Sequence, residues 1–208
     1  MLKTSSIVRF GAAASAGALI IAAAVAGRTA AGTTKRPADL AAELVSAGAD
    51  ETPAAVVNGQ PISIGRVRAY ESLANQNRDI TGRPPPSRDE ILNGLIDDEL
   101  LYQEAIRMGL QASAEDAAKA AEATRQSMDK QQTEFVLAYA LQNSGRTVDE
   151  QSYWSMPEVV EAFRRSLSVQ APRLSLQTGD PSKRADAVAM EVKRLRAEAS
   201  VIMSPTLR

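Results

Sequence analysis

The chain has 208 residues, a formal net charge of −1 and 44% hydrophobic residues, a composition typical of globular proteins that excludes disordered and collagen-like ones. The near-neutral charge argues against a nucleic-acid partner. The sequence contains no cysteine and no histidine, which excludes disulfides, thiolate catalysis and the commonest general base and metal ligand. We therefore expect no catalytic residue, no metal site and no cofactor.

The sequence pattern of residues 1–27 predicts that the protein is exported. Lys3 and Arg9 precede an uncharged run over 10–27, which is the order found in a signal peptide or a signal anchor. As a helix this run would span about 27 Å, close to the hydrocarbon thickness of a bilayer. Ala24-Val25-Ala26 offers a cleavage site, whereas the length of the run favours an anchor in the cytoplasmic membrane. Either alternative places the rest of the chain outside the cytoplasm, in the periplasm or on the cell-envelope side, anchored or secreted.

A flexible tether and one folded domain follow the leader. Residues 28–53 are rich in Ala, Thr and Gly and predict a tether with one short helix over 37–45. The folded domain is then 54–208. It begins with an apolar strand over 54–57, and Asn58-Gly59 predicts a tight turn after it.

Capping patterns predict the helices of this domain. Ser63 predicts a helix through Asn77, and Ser87-Arg88-Asp89-Glu90 is a capping box that begins a second helix after three prolines. Gly109 suits a left-handed cap at the end of that helix. Further helix starts are predicted at Ser113, at Thr147-Val148-Asp149-Glu150, at Ser155-Met156-Pro157-Glu158 and at Asp180-Pro181.

A second strand, over 199–203, follows the last helix. Two short strands are unstable alone, so we expect Val56 or Val57 to pair with Val201 or Ile202. The predicted fold is mainly α, with a small two-stranded sheet that joins the N- and C-terminal ends of the domain. The stripe of Leu95, Ile96 and Leu100 should then pack beside Val192 and Leu195.

Three segments carry a family resemblance: Val57-Asn58-Gly59-Gln60-Pro61-Ile62, the run from Ile91 to Ala105 with Met108-Gly109-Leu110, and the ending Leu195-Arg196-Ala197-Glu198-Ala199-Ser200-Val201-Ile202. Together they resemble the N-terminal peptide-holding module of SurA-, PrsA- and PpiD-type chaperones, over residues 54–128 and 183–203. The resemblance implies a helical SurA N-terminal-like domain that takes part in protein folding.

In those families a parvulin-type prolyl isomerase domain precedes the closing helix. The corresponding interval here, 168–180, is far shorter than the roughly 50 residues that a domain needs. Parvulin active sites also typically use a pair of histidines, and this chain has none. The resemblance therefore implies a chaperone without the isomerase domain, and not an enzyme.

Two groups of residues are candidates for function. Asp97, Asp98, Glu99 and Glu104 suggest paired carboxylates or a divalent metal site, but a solvated helix face is the favoured interpretation. Bulky side chains predict a peptide-binding groove, because thioether and aromatic surfaces adapt to varied apolar partners. These candidates are Trp154, Tyr153, Met156, Tyr139, Phe135, Met128 and Phe163.

For any single one of these bulky positions, burial in the core is the favoured alternative, because only 4% of the residues are aromatic. Trp154 is the strongest groove candidate, since its neighbours Gly145, Thr147 and Ser155 are typical of loops.

The sequence thus predicts an exported, membrane-tethered chaperone, a holdase for unfolded or extended exported polypeptides, with the membrane contacted through 10–27. The alternative is an assembly or scaffold protein that uses the same module for one dedicated partner in an exported polymer or secretion system.

Overall fold

The computed structural model describes residues 37–81, 84–144, 147–175 and 181–205. The predicted signal peptide or anchor, 1–27, lies outside these ranges. The described elements, in chain order, are α1 (Pro37–Gly48), β1 (Pro53–Val57), β2 (Gln60–Ser63), α2 (Ile64–Thr81), α3 (Arg88–Arg107), α4 (Ala114–Ser127), α5 (Lys130–Ser144), α6 (Glu150–Trp154), α7 (Pro157–Ser175), α8 (Pro181–Glu198) and β3 (Val201–Met203). The prediction of a mainly helical protein with a small sheet is confirmed.

The sheet joins the two ends of the domain, as predicted. β1 is its central strand and pairs antiparallel with both β2 and β3. Val56 lies opposite Ile202 and Val57 lies opposite Val201. The sheet has three strands, so the prediction of two is wrong. The missed strand, β2, contains Pro61, which a strand accepts at the edge of a sheet because its missing N–H faces away from the ladder.

The turn between β1 and β2 has the expected geometry. Asn58 and Gly59 have φ angles of 48° and 85°, the positive values that a tight hairpin turn of this type requires at both central residues. The turn fixes the register of the hairpin, so that Val57 pairs with Gln60. The sequence prediction at this turn is confirmed.

Most predicted helix ends are confirmed. The Ser87 hydroxyl accepts a bond from the Glu90 amide, and the Glu90 carboxylate accepts one from the Ser87 amide. Helix α3 ends at a left-handed Gly109 (φ 68°), where the Leu110 amide donates to the Ala105 carbonyl over 2.8 Å. Ser63 and Ser113 also cap their helices. Two predicted ends differ: α2 continues to Thr81 instead of ending at Asn77, and Asp149 is the residue whose side chain caps α6.

Helix α1 belongs to the folded domain, so the predicted tether over 28–53 is wrong from Pro37 onward. Leu40, Ala41 and Leu44 are buried, and α1 packs against α2 and α5. A β-carbon on Gly65, at the start of α2, would lie 2.8 Å from the Asp50 carbonyl oxygen, so only glycine allows this close approach. Residues 28–36 lie outside the described ranges.

Two hydrophobic clusters form the interior. The sheet core lies between the sheet and helices α2, α3, α7 and α8; its members include Val57, Ile62, Val67, Leu92, Leu95, Ile96, Leu100, Leu101 and Leu195. The helical core lies among α1, α2, α4, α5, α6 and α7; its largest members are Leu44, Leu73, Val136, Tyr139, Tyr153, Trp154, Val159 and Phe163. Leu195 and Val192 pack in the sheet core with Leu95, Ile96 and Leu100, as predicted.

Candidate functional site

Four carboxylates of α3 bind arginines, and each of the four contacts an arginine on α7 or α8. Asp97 pairs with Arg196, Asp98 with Arg173, Glu99 with Arg165, and Glu104 with both Arg107 and Arg194. Glu99 and Glu104 are each only 5% exposed. The prediction of a solvated helix face is therefore wrong for these two residues. Their charges are acceptable in the interior because each one has a hydrogen-bonded counter-ion.

Glu99 is held from two sides. Its carboxylate accepts hydrogen bonds from Arg165 on α7 and from the Gln103 amide, the latter over 2.8 Å. The Arg165 guanidinium carbon also lies 4.1 Å from the centre of the Tyr102 ring, a cation–π contact. These contacts fix α7 against α3 at one place.

Two arginines of α8 hold this helix against α3, because each guanidinium donates several hydrogen bonds. Arg196 donates to Asp97 over 2.5 Å and to the carbonyl and side-chain oxygens of Asn93. Two residues earlier, Arg194 donates to Glu104 over 3.2 Å and to Glu191. The hydrogen bonds from Arg107 hold the pKa of Glu104 below its usual value.

A partly buried cationic group lies near the same carboxylates of α3. It is Arg66 of α2, which interacts with Tyr70, and within the described ranges its buried Nε has no hydrogen-bond partner. Burial is the main cause that lowers the pKa of Arg66, and it also raises the pKa of Tyr70. Asp98 and Glu99 of α3 oppose the effect of burial on Arg66 because they favour its charged form.

A cavity of about 380 Å³ opens next to this group, between α2, α3 and the end of α7. Its walls are mostly apolar, and its polar groups include three carboxylates and one guanidinium. The lining residues are Tyr70, Pro86, Glu90, Ile91, Gly94, Leu95, Asp97, Asp98 and Arg173. The volume lies in the range of roughly 300–1,000 Å³ that is typical of ligand sites. Burial is the main cause that raises the pKa of Asp98, partly offset by Arg173.

Four of the seven predicted groove residues lie in the helical core. Trp154, Tyr153, Tyr139 and Phe163 are each at most 5% exposed. The Trp154 ring packs edge-on against Tyr153 with centroids 5.4 Å apart, and against Phe163 at 6.1 Å. Burial raises the pKa values of Tyr139 and Tyr153. Trp154, the strongest groove candidate in the sequence, lies instead in the short helix α6 and is buried, as the favoured alternative of core burial expects.

The other three residues, Phe135, Met128 and Met156, are partly buried and pack against the same helical core. The structure thus brings all seven together in one cluster, which is closed by the surrounding helices. Peptide binding by these residues stays a prediction, and it would require the cluster to open.

The cavity residues Tyr70, Gly94 and Arg173 were missed as site residues in the sequence. One signal was present, because Gly94 interrupts the apolar pattern in the middle of a helix, where glycine is unfavourable. Nothing lies within 4 Å of the position that a β-carbon on Gly94 would take, so packing does not require glycine there.

Within the described ranges, no group of acidic residues is arranged to hold a metal ion. Among the same residues, no helix has the length and apolarity needed to cross a bilayer. Comparison of the chain with protein-family models, curated proteins and solved structures gave no match.

Proposed function

We propose that this chain is an exported chaperone of the holdase type, which binds unfolded or extended polypeptides and has no prolyl isomerase activity. The leader would anchor it to the cytoplasmic membrane or be removed on secretion. One observation carries the proposal: the segments that resemble the SurA-type module, although far apart in sequence, pack together in the sheet core. β1 pairs with β3, and α3 packs against α8.

The short interval between α7 and α8 supports the absence of prolyl isomerase activity. The chaperones that this chain resembles carry their isomerase domain at this place. Helix α7 extends to Ser175 and α8 begins at Pro181, which leaves only residues 176–180 between them. A domain of the usual size cannot occupy so short an interval.

The presence of solvent-exposed apolar side chains also supports a binding role. Ile106, Met108 and Leu110 lie at the end of α3, and Met190 is 71% exposed on α8. Flexible methionine side chains adapt to varied apolar partners. A client that becomes ordered on binding loses conformational entropy, so we expect modest affinity and release without nucleotide.

The proposal is tested by aggregation of a chemically unfolded client, such as reduced lysozyme, with and without residues 37–208. We expect the domain to delay aggregation in proportion to its concentration. In parallel, a proline-limited refolding assay should show no acceleration of isomerisation, which is otherwise slow, on the order of tens to hundreds of seconds. Acceleration by the purified domain would contradict the absence of isomerase activity.

Failure to delay aggregation at any ratio would contradict the holdase function and favour the alternative, an assembly protein with one dedicated partner. Crosslinking in intact cells would then recover one protein in fixed proportion instead of many. Export is tested separately by mass spectrometry of the N-terminus in membrane and soluble fractions.

A further inference from the structure

We propose that the cavity between α2, α3 and α7 is a binding site for an apolar side chain of a polypeptide that has a lysine or arginine beside it. The inference rests on the proposed function, which it deepens by naming where a client binds and which segments are preferred. Three features of the cavity carry it: its apolar walls, its carboxylates and a helix glycine in its lining.

The walls suit an aliphatic or aromatic side chain. Tyr70, Ile91, Leu95 and Pro86 supply the apolar surface, and the volume of about 380 Å³ holds one large side chain with the backbone next to it. Burying a Leu or Phe side chain is favourable by roughly 1.5–3 kcal/mol, so one such contact gives the modest affinity expected of a holdase.

The charges at the cavity favour a cationic neighbour. Asp97 and Asp98 are neutralised by Arg196 and Arg173. Glu90 is different, because its carboxylate accepts hydrogen bonds from the amide and hydroxyl of Ser87. These bonds lower its pKa but bring no positive charge. Among the described residues, Glu90 is therefore the lining carboxylate without a basic partner, and a lysine or arginine of the client would offset its charge.

The backbone of a client can approach α3 at Gly94. Glycine within a helix costs roughly 1 kcal/mol relative to alanine, and here the space beside it is empty. A side chain at this position would occupy the cavity. The guanidinium of Arg173, another lining residue, has five N–H donors. Within the described part of the chain its one hydrogen bond goes to Asp98, which leaves donors for a carbonyl of the client.

The test compares two soluble Gly–Ser peptides, one with repeated Leu–Lys pairs and one with Leu–Glu pairs. Binding is measured by calorimetry and by the amide resonance of Gly94 in isotope-labelled protein. We expect tighter binding of the Leu–Lys peptide and a shift of the Gly94 resonance. Equal affinity for both peptides would overturn the charge preference.

Two variants locate the site. Gly94→Leu fills the cavity and should weaken peptide binding about tenfold or more, a loss of roughly 1.4 kcal/mol or more. The matched control Ala123→Leu adds the same side chain at an exposed position of α4 and should leave binding unchanged. Glu90→Gln keeps the capping box but removes the charge, and should weaken binding of the Leu–Lys peptide about two- to fivefold. Circular dichroism checks that each variant is folded.

Gly94→Ala separates a structural from a binding role. Alanine should raise the melting temperature while it weakens peptide binding, because it favours the helix and narrows the cavity. If the unmodified protein binds the peptides and Gly94→Leu binds them equally well, the cavity is not the site and the holdase proposal stands. If the unmodified protein binds neither the peptides nor reduced lysozyme, both proposals are overturned.

Discussion

The side-chain oxygen of Asn58 lies 2.8 Å from the backbone nitrogen of Ser200, 142 positions further along the chain. The same side chain donates to Gln103 of α3 over 2.8 Å, and the Asn58 amide donates to the Ser200 carbonyl. One turn residue thus connects the hairpin, the central helix and the segment before β3.

Replacing Asn58 with glycine should lower the free energy of unfolding by about 1 kcal/mol, because two side-chain hydrogen bonds are lost while glycine still adopts the positive φ angle. Urea unfolding measures the difference. Asn58→Asp keeps the acceptor for Ser200 but places a carboxylate oxygen against the side-chain oxygen of Gln103, so its loss should be at least as large. Equal stability of the glycine variant and the unmodified protein would show that these bonds contribute nothing.

Truncation after Arg194 should destabilise the whole domain. The deletion removes Leu195 from the sheet core, the hydrogen bonds of Arg196 to α3, and the strand β3 that pairs with β1. We expect a lower melting temperature for the whole domain, and not only a change confined to the C-terminal segment. Ile202→Thr is the control, because the Ile202 side chain is 64% exposed and threonine suits a strand. An unchanged melting transition after truncation would contradict the role of β3.

Arg165→Met should destabilise the domain by up to about 3 kcal/mol, because it leaves the Glu99 carboxylate buried without a counter-ion. The double variant Glu99→Gln/Arg165→Met should recover part of that loss, since the unpaired carboxylate is removed while Asp98 still favours the charged form of Arg66. Chemical denaturation of the three proteins measures the coupling. Lys119→Met, at an exposed pair with Glu115, should change stability by less than about 1 kcal/mol. A single Arg165 variant as stable as the control would contradict this prediction.

Glu104 should make stability fall on acidification. Hydrogen bonds from Arg107 are the main reason that its pKa in the folded protein is lowered. Its stabilising contribution is therefore complete above the pKa of the unfolded chain, about 4.3, and is lost as pH falls through the lower folded value. Between about pH 5 and pH 3, Glu104→Gln should lose less stability than the unmodified protein.

Asp98→Asn is the control, because its effect on the pH dependence of stability should be opposite to that of Glu104→Gln. Burial is the main reason that the pKa of Asp98 is raised, so the folded state binds this proton more tightly than the unfolded state. As the pH falls, proton binding at Asp98 therefore favours the folded state. The asparagine variant lacks this effect and should lose more stability on acidification than the unmodified protein. The same pH dependence in both variants would contradict these assignments.

Trp154→Ala should cost about 3–5 kcal/mol of stability, the usual effect of removing a large aromatic side chain from a core. Thermal unfolding checks it, with Leu141→Ala as control because Leu141 is 43% exposed. A folded, stable Trp154→Ala variant that binds unfolded clients more weakly would instead favour the groove that the sequence predicted.

Turn and capping patterns correctly predicted the parts of this fold that depend on residues close together in the sequence. The Asn58-Gly59 turn and the Ser87 capping box depend on residues a few positions apart, and both are present. The pairing of β1 with β3 could also be predicted, because two isolated strands in one domain need a partner.

The candidate site depended on distant residues and could not be predicted in the same way. The acidic cluster of α3 looked solvated because Arg165, Arg173 and Arg196 lie 66, 75 and 99 positions from their partners. Trp154 is the strongest groove candidate in the sequence because its neighbours are typical of loops, whereas the helices packed around it determine its burial. The segment of helix α1 predicts a tether with a short helix because it is rich in Ala, Thr and Gly, whereas its contacts with α2 and α5 bury Ala41 fully.

The position of β1 in the middle of the sheet has a consequence for the newly made chain. During synthesis β1 and β2 emerge together, but one edge of β1 stays uncovered until residues 201–203 have also been made. Nascent chains aggregate through unpaired strand edges and exposed apolar surface. Over that period the half-made protein has the same vulnerability as an unfolded client, and other chaperones would have to protect it until β3 arrives.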